Sequence, residues 1–167
     1  MELETSFKAA VVTVSDSAAQ GDRQDLTGPA LAEVLTSAGF EVAQVVVVPD
    51  EQEQISRVLK DLADGQTLNL ILTAGGTGLS PRDRTPEATL AVIDRQAPGL
   101  PEAMRRAGLA KTPHAALSRG VAGTRGLSLI LNLPGSPKGA KESLESVLPA
   151  LPHALEKLAG DPSPCGD

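Results

Sequence analysis

Aromatic residues are nearly absent from this chain of 167 residues, which contains two Phe and neither Trp nor Tyr. The core must therefore be aliphatic, built from Val, Leu, Ile and Ala. Proteins that bind single-stranded nucleic acid stack bases on aromatic side chains, and non-specific binders carry basic surfaces. Because the formal net charge is −6, the composition argues against a nucleic-acid partner.

Cysteines and long apolar runs are scarce as well. The one cysteine, Cys165, lies near the C-terminus, so the chain can form neither an internal disulfide nor a cysteine metal cluster. No run approaches the roughly 18 apolar residues of a membrane-spanning helix. The first residues, MELETSFK, lack the basic start and apolar run of a signal peptide. We therefore expect a cytoplasmic protein that does not contact a membrane.

The first half of the chain alternates apolar strands with amphipathic helices. Apolar runs predict three strands, and apolar residues on one helical face predict two helices. This β-α-β-α-β order is typical of a parallel sheet covered by helices. The predicted elements are a strand at Lys8–Val14, a helix opened by Gly28 and Pro29 after the N-cap Thr27, a strand at Glu41–Val48, a helix from Asp50 to Gly65 and a strand at Leu68–Thr73.

The second half is less regular, and the segment Thr112–Arg125 stays unassigned because its glycines and small residues fit no single period. Taken together, the pattern predicts an α/β fold: a single three-layer α-β-α domain with a mostly parallel sheet over residues 1–160, followed by a loose tail at 161–167. The remaining predicted elements are short helices at Pro86–Asp94 and Leu100–Ala107, a strand at Leu127–Leu131, a helix from Pro137 interrupted at Pro149 and Pro152, and a last helix at His153–Leu158.

Polar or glycine-rich loops follow four of the predicted strands. In a parallel sheet the carboxyl ends of the strands lie at one edge, and open α/β sheets bind their ligands there. We therefore expect a single pocket at this edge. The four loops are Ser15–Gly28, Pro49–Asp50, Gly75–Thr85 and Pro134–Lys138.

The loop Gly75–Gly78 is a weak signal by itself, because a glycine-rich turn serves structure about as often as it serves a ligand. It lacks both the Gly-Lys-Ser/Thr ending of a P-loop and the glycine spacing of a dinucleotide-binding loop. Asp83 follows between Arg82 and Arg84. These three residues are either a solvated charge cluster or a magnesium ligand beside phosphate-binding arginines.

Other charged positions also have two interpretations. Asp50 is either a helix N-cap, with Glu53 three residues later, or a pocket carboxylate, and both roles can coexist. Lys138 lies in the first turn of a predicted helix, where a cation opposes the helix dipole. A bound anion would explain this lysine, and an exposed side chain tolerated at small cost is the alternative. Taken singly, Asp16 and Asp25 are most simply loop caps or turn formers.

Several motifs in order resemble those of the molybdenum cofactor biosynthesis family, which includes the bacterial molybdopterin adenylyltransferases and the MoaB-type proteins. The longest is TAGGTGLSPRDRTPEAT at Thr73–Thr89, with one small departure at Ala74, where Thr or Ser is frequent. The resemblance spans residues 8–158. The other blocks are VSDS at Val14–Ser17, DLTG at Asp25–Gly28, VPDE at Val48–Glu51, PGLPEAMR at Pro98–Arg105, LSRGVAGTRG at Leu117–Gly126 and NLPGSPKGAKE at Asn132–Glu142.

The resemblance implies a usually trimeric three-layer protein that uses ATP and Mg²⁺ to adenylylate molybdopterin, with release of pyrophosphate. It also implies a transient contact with the protein that inserts molybdate into the product. Asp50 and Asp83 match the family's functional carboxylates and would be both catalytic and metal-binding. The positions that match the substrate pocket are Ser15, Asp16, Asp25, Gly75, Gly76, Thr77, Gly78, Thr85, Glu87, Ser118 and Lys138.

Two alternatives remain open at the level of sequence. MoaB-type members share these motifs, so the chain could bind the pterin without adenylylating it. It could also be a non-catalytic trimeric scaffold or carrier for the cofactor. The presence of both carboxylates, Asp50 and Asp83, favours the enzyme.

Overall fold

Six strands form one sheet in the computed structural model, which describes residues 6–65 and 67–165. The strands are β1 (Lys8–Val14), β2 (Glu41–Val48), β3 (Leu70–Ala74), β4 (Arg95–Gln96), β5 (Ala122–Arg125) and β6 (Ser128–Leu133). Their order is β2-β1-β3-β6-β5-β4. β2, β1, β3 and β6 run parallel to one another, whereas β5 and β4 extend the sheet with antiparallel pairing.

Helices cover both faces of this sheet. Successive residues of a strand point to opposite sides, so the apolar strands β1 and β3 bring buried side chains to both faces. On one face, Val11 and Leu72 pack in a core with residues of α2, α5, α6 and α7. On the other face, Val12 and Ile71 pack against α3 and α4. The predicted three-layer fold with a mostly parallel sheet is confirmed. The helices are α1 (Asp16–Ala19), α2 (Thr27–Ser37), α3 (Gln52–Gly65), α4 (Thr85–Leu90), α5 (Gly99–Leu109), α6 (Pro137–Val147) and α7 (Leu151–Leu158), with 3₁₀ turns at Pro113–Leu117 and Leu148–Ala150.

The bounds of β1 and β2 are those predicted, but other element ends differ. β3 begins at Leu70, two residues later than predicted, and the side chain of Asn69 just before it accepts the Lys8 N–H at 2.8 Å. α7 begins at Leu151, so Pro152 does not interrupt it. Proline is tolerated there because first-turn N–H groups have no partner within the helix. No helix among the described residues is long and apolar enough to cross a membrane.

The unassigned segment Thr112–Arg125 contains the first 3₁₀ turn and β5, which forms a hairpin with β6. Asn132, fully buried on β6, holds this segment in place. Its side-chain oxygen accepts the Val121 N–H at 3.1 Å, and its amide nitrogen donates to Thr73 and Thr89, each at 2.9 Å. These contacts fix the loop that enters β5, and that loop carries two residues of the candidate site.

Candidate active site

The four loops predicted to converge lie together at the carboxyl edge of the parallel strands. They surround a cavity of about 410 Å³, which we call the carboxylate cavity. It lies where β1, β2, β3 and β6 end, so the predicted location of the pocket is confirmed. The sequence-predicted site residues in its lining are Ser15, Asp25, Asp50, Gly75, Gly76 and Asp83.

A second cavity, of about 320 Å³, opens beside the first, so the expectation of a single pocket is wrong. We call it the apolar cavity. The glycine loop divides its residues between the two, because Gly75 and Gly76 line the carboxylate cavity and the next two residues line the other. The predicted site residues that line the apolar cavity are Thr77, Gly78 and Ser118.

Asp50 and Asp16 hold each other through reciprocal hydrogen bonds. The Asp16 N–H donates to Asp50 Oδ2 and the Asp50 N–H donates to Asp16 Oδ1, each at 2.9 Å. The Asp50 carboxylate therefore caps the turn after β1, and α3 begins at Gln52 instead. The N-cap interpretation of Asp50 is wrong, because the Asp16 N–H takes the place of the helix amide.

Asp50 presents one carboxylate oxygen toward the glycine loop. Its Oδ1 faces Gly76 and makes no hydrogen bond with another described residue. Partial burial raises the pKa of Asp50 above its ordinary value, and the nearby carboxylates of Asp16 and Asp83 raise it further. An ionised carboxylate with a free oxygen and anionic neighbours is a favourable place for a cation.

Arg82 is committed to carboxylates rather than left open for phosphate. Its guanidinium donates to both oxygens of Asp16 at 2.9 and 3.0 Å and to Glu51 at 2.9 Å. These bonds hold the pKa of Asp16 below its ordinary value. Asp16 lies outside both cavity linings, so the structure gives it a supporting place beside Asp50.

The glycine loop needs glycine for two reasons. Gly75 and Gly76 have φ values of +107° and +66°, which residues with a side chain rarely adopt. A Cβ on Gly75 would also overlap the Val14 carbonyl oxygen, and one on Gly76 would overlap Thr85 Oγ1. Thr85 therefore lies behind the loop, and its buried Oγ1 has no hydrogen-bond partner among the described residues.

Arg119 fastens the glycine loop, and sequence reasoning missed it. Its guanidinium donates to the carbonyl oxygens of Gly78 and Asp83, each at 2.8 Å, and forms an ion pair with Glu87. Its backbone N–H donates to the Thr77 carbonyl at 2.8 Å. The pKa of Glu87 is lowered chiefly by this arginine. Glu87 thus holds Arg119 rather than lining a cavity.

The remaining predicted residues play distinct local parts. Asp25 caps α2, accepting the N–H groups of Thr27 and Gly28 at 3.1 and 3.0 Å, while it also lines the carboxylate cavity. Asp83 lines that cavity and accepts the Ser80 N–H at 2.9 Å. Lys138 is exposed in the first turn of α6 and lies outside both linings.

The sequence from residue 10 to residue 153 matches the family model described as "Probable molybdopterin binding domain". The chain belongs to this family. The molybdopterin adenylyltransferases of Haemophilus influenzae and Escherichia coli K12 are 49% and 48% identical to it over 92% and 85% of this chain, and over 85% and 74% of their own lengths. The chain spans 26% of the Drosophila melanogaster molybdenum cofactor synthesis protein cinnamon, with 40% identity.

Solved structures share the fold of this molybdopterin-binding domain. A Thermus thermophilus protein described as the molybdopterin biosynthesis enzyme MoaB is 62% identical, with a TM-score of 0.88 over 93% of this chain and 98% of that one. A Mycobacterium ulcerans molybdopterin biosynthesis Mog protein is 44% identical, with a TM-score of 0.86 over 92% and 99%. The fold and the family therefore agree with the resemblance in the motifs.

We expect Arg119→Lys to reduce any activity of the molybdopterin-binding domain about tenfold, because one ammonium cannot reproduce three guanidinium contacts. The free energy of unfolding should fall by about 1–3 kcal/mol. Arg125→Lys is the matched control. Arg125 also donates hydrogen bonds to a carboxylate, that of Asp64, and to a backbone carbonyl, that of Val92, but it lines neither cavity. Steady-state kinetics should separate the two variants, because Arg125→Lys should lose stability and keep its activity. Equal activity in both variants would contradict a role for Arg119 in the site.

Proposed function

We propose that this protein transfers AMP from ATP to the terminal phosphate of molybdopterin. An oxygen of that phosphate forms a bond to the α-phosphorus of ATP, while the bond from the α-phosphorus to the bridging oxygen breaks and pyrophosphate leaves. The observation that carries the proposal is the placement of Asp50 and Asp83 in the cavity at the strand ends. The identity of 48–49% to two proteins named molybdopterin adenylyltransferase supports it.

The chain's own residues have to position the substrates and balance charge. Adenylyl transfer needs in-line placement and neutralisation of phosphate oxygens more than covalent help. No general base is required, because a phosphate monoester is already ionised near pH 7. Arg23 lines the carboxylate cavity and its guanidinium makes no hydrogen bond with another described residue, so we assign it to a phosphate. Lys138, exposed in the first turn of α6, is a second candidate.

Magnesium belongs to the proposal, and the donor set fits it when substrate is present. Asp50 has one carboxylate oxygen with no hydrogen-bond partner among the described residues, and Asp83 lines the same cavity. Among the residues that the structure describes, no three His, Cys, Asp or Glu side chains could hold a metal together. Magnesium usually takes one or two carboxylates plus substrate phosphates. When bound, it would neutralise phosphate charge, and Asp50 and Asp83 would orient it.

Product formation tests the proposal directly. Purified protein, molybdopterin, ATP and magnesium should yield equal amounts of pyrophosphate and adenylylated pterin. The second candidate is a MoaB-like protein that binds molybdopterin without adenylylating it; the 62% identity to the Thermus thermophilus molybdopterin biosynthesis enzyme MoaB supports the MoaB likeness only. Tight pterin binding without either product would establish that candidate and contradict adenylyl transfer.

We also propose a cytoplasmic homotrimer that passes its product to the molybdate-inserting protein. The edge strand β2 supports self-association, because Val45 and Val47 are 39% and 38% exposed on it. Apolar side chains along an open sheet edge favour contact with another chain. Light scattering should give three times the 17.1 kDa chain mass, and a monomer mass would contradict the trimer.

A further inference from the structure

Arg82 links the two loops that carry Asp50 and Asp83. It directly precedes Asp83 in the chain, and its guanidinium donates at 2.9 Å to Glu51, which directly follows Asp50. The same guanidinium donates to both oxygens of Asp16, at 2.9 and 3.0 Å. Asp16 in turn exchanges two hydrogen bonds of 2.9 Å with Asp50. Two bridges therefore connect Arg82 to Asp50, and we call Arg82, Asp16 and Glu51 the clamp.

The clamp lies outside the cavities, so it can affect a bound ligand only through Asp50 and Asp83. None of its three residues lines the carboxylate cavity or the apolar cavity. The side chains of Arg82 and Glu51 are 54% and 51% exposed, and single ion pairs at such exposure add little to stability. A guanidinium that donates to both oxygens of one carboxylate, however, fixes direction as well as distance. The clamp therefore contributes geometry rather than a large part of the free energy of unfolding.

Asp83 is also held from its other side. Its N–H donates to the Ser80 carbonyl at 2.9 Å, and one of its carboxylate oxygens accepts the Ser80 N–H at 2.9 Å. Its carbonyl oxygen accepts a hydrogen bond from the Arg119 guanidinium at 2.8 Å. With the preceding residue, Arg82, clamped as well, Asp83 is fixed relative to Asp50. The protein itself therefore sets the separation of the two cavity carboxylates.

We infer that Arg82 is a positioning residue that makes Asp50 and Asp83 select Mg²⁺ over Ca²⁺. The inference rests on the proposed function, in which magnesium binds to these two carboxylates and to substrate phosphates. Mg²⁺ requires near-ideal octahedral geometry with bonds of about 2.0–2.1 Å, whereas Ca²⁺ accepts flexible sets of oxygens at about 2.3–2.6 Å. A pair of carboxylates with a fixed separation suits one ion size. Loops without the clamp would let the carboxylates move apart around the larger ion.

The test compares the binding of MgATP and CaATP to the full chain by isothermal titration calorimetry, without molybdopterin, so that no transfer occurs. The wild type should bind MgATP at least about tenfold more tightly than CaATP. Arg82→Lys keeps the charge, but one ammonium cannot hold both oxygens of Asp16 and Glu51 together, so the preference should fall to about threefold or less. MgATP binding should weaken while CaATP binding is retained. A merely structural role would weaken both complexes by the same factor.

Arg125→Lys is the matched control here too, since Arg125 donates to both oxygens of Asp64 at 2.8 Å and lines neither cavity. It should keep the wild-type preference, and circular dichroism should give all three proteins the same fold. A preference retained in Arg82→Lys would overturn the inference. So would equal affinity of the wild type for MgATP and CaATP, or binding of neither complex.

Adenylyl transfer, measured separately on the same preparations, distinguishes this inference from the proposed function. A preference for MgATP that is lost in Arg82→Lys, in a wild type that forms no adenylylated pterin, would remove the proposed function and leave the positioning role of Arg82. Adenylyl transfer by the wild type, with the MgATP preference retained in Arg82→Lys, would remove the inference alone.

Discussion

Replacing Asp50 with asparagine should lower adenylyl transfer by about 100- to 1,000-fold. The Asp50 Oδ1 faces the glycine loop with no hydrogen-bond partner among the described residues, so its negative charge is available to magnesium and phosphate. Asparagine keeps the shape of the side chain and an oxygen that can accept the Asp16 N–H, but it loses the charge. Initial rates with saturating molybdopterin, ATP and magnesium measure the effect.

The same substitution should leave the protein at least as stable at pH 7. Burial and neighbouring carboxylates raise the pKa of Asp50 in the folded state above its ordinary value of 3.8. The folded state therefore binds this proton more tightly than the unfolded chain, and the ionised carboxylate costs stability as the pH rises through the folded pKa. Asparagine removes that cost. The gain in melting temperature should be present at pH 7 and vanish below about pH 4.

Asp22→Asn is the matched control for Asp50→Asn. Asp22 is exposed in the loop between α1 and α2, and its side chain makes no hydrogen bond with another described residue. The control should keep both the rate and the melting temperature. If Asp50→Asn kept more than a tenth of the wild-type rate, Asp50 would not hold the metal or orient a phosphate. If the variant melted well below the wild type, the stability that the Asp50 carboxylate gains from the Asp16 N–H would exceed the stability that its charge costs.

The location of the site could be predicted from sequence because it follows from strand order. Continuous valine runs and the proline after Val48 mark β1 and β2, and the alternation with helices makes the sheet parallel. The carboxyl ends of four strands then have to meet at one edge. The predicted location of the site did not depend on the sequence of the glycine loop. The location is therefore confirmed, although two cavities lie there rather than one.

The direction of the charged side chains could not be predicted in the same way. Arg82 and Arg119 look alike in sequence, yet one pairs with Asp16 across 66 positions of the chain and the other fastens Gly78 across 41. The Asp50 pattern fits a helix cap locally, and only the fold shows that the Asp16 N–H reaches it first. Such choices depend on contacts distant in sequence, which no local pattern records.

Gly75→Ala should be the most damaging single change in the loop, with a loss of at least about 3 kcal/mol in the free energy of unfolding. At φ +107°, alanine is strained by its backbone alone. Its Cβ would also overlap the Val14 carbonyl oxygen, which is backbone and cannot rotate away. Either β1 or the loop must move, and both form the wall of the carboxylate cavity, so adenylyl transfer should be lost too. Urea unfolding measures the change in stability.

Gly39→Ala separates the two causes. Gly39 has a φ of +90°, and a Cβ there would meet no heavy atom within 4 Å. Its variant should lose only the backbone term, about 1–2 kcal/mol, and keep its activity. The difference between the two variants then measures the overlap with Val14. Equal losses would mean that the end of β1 moves at no cost, so that the position of Gly75 is set by its own φ and not by contact with the strand beside it.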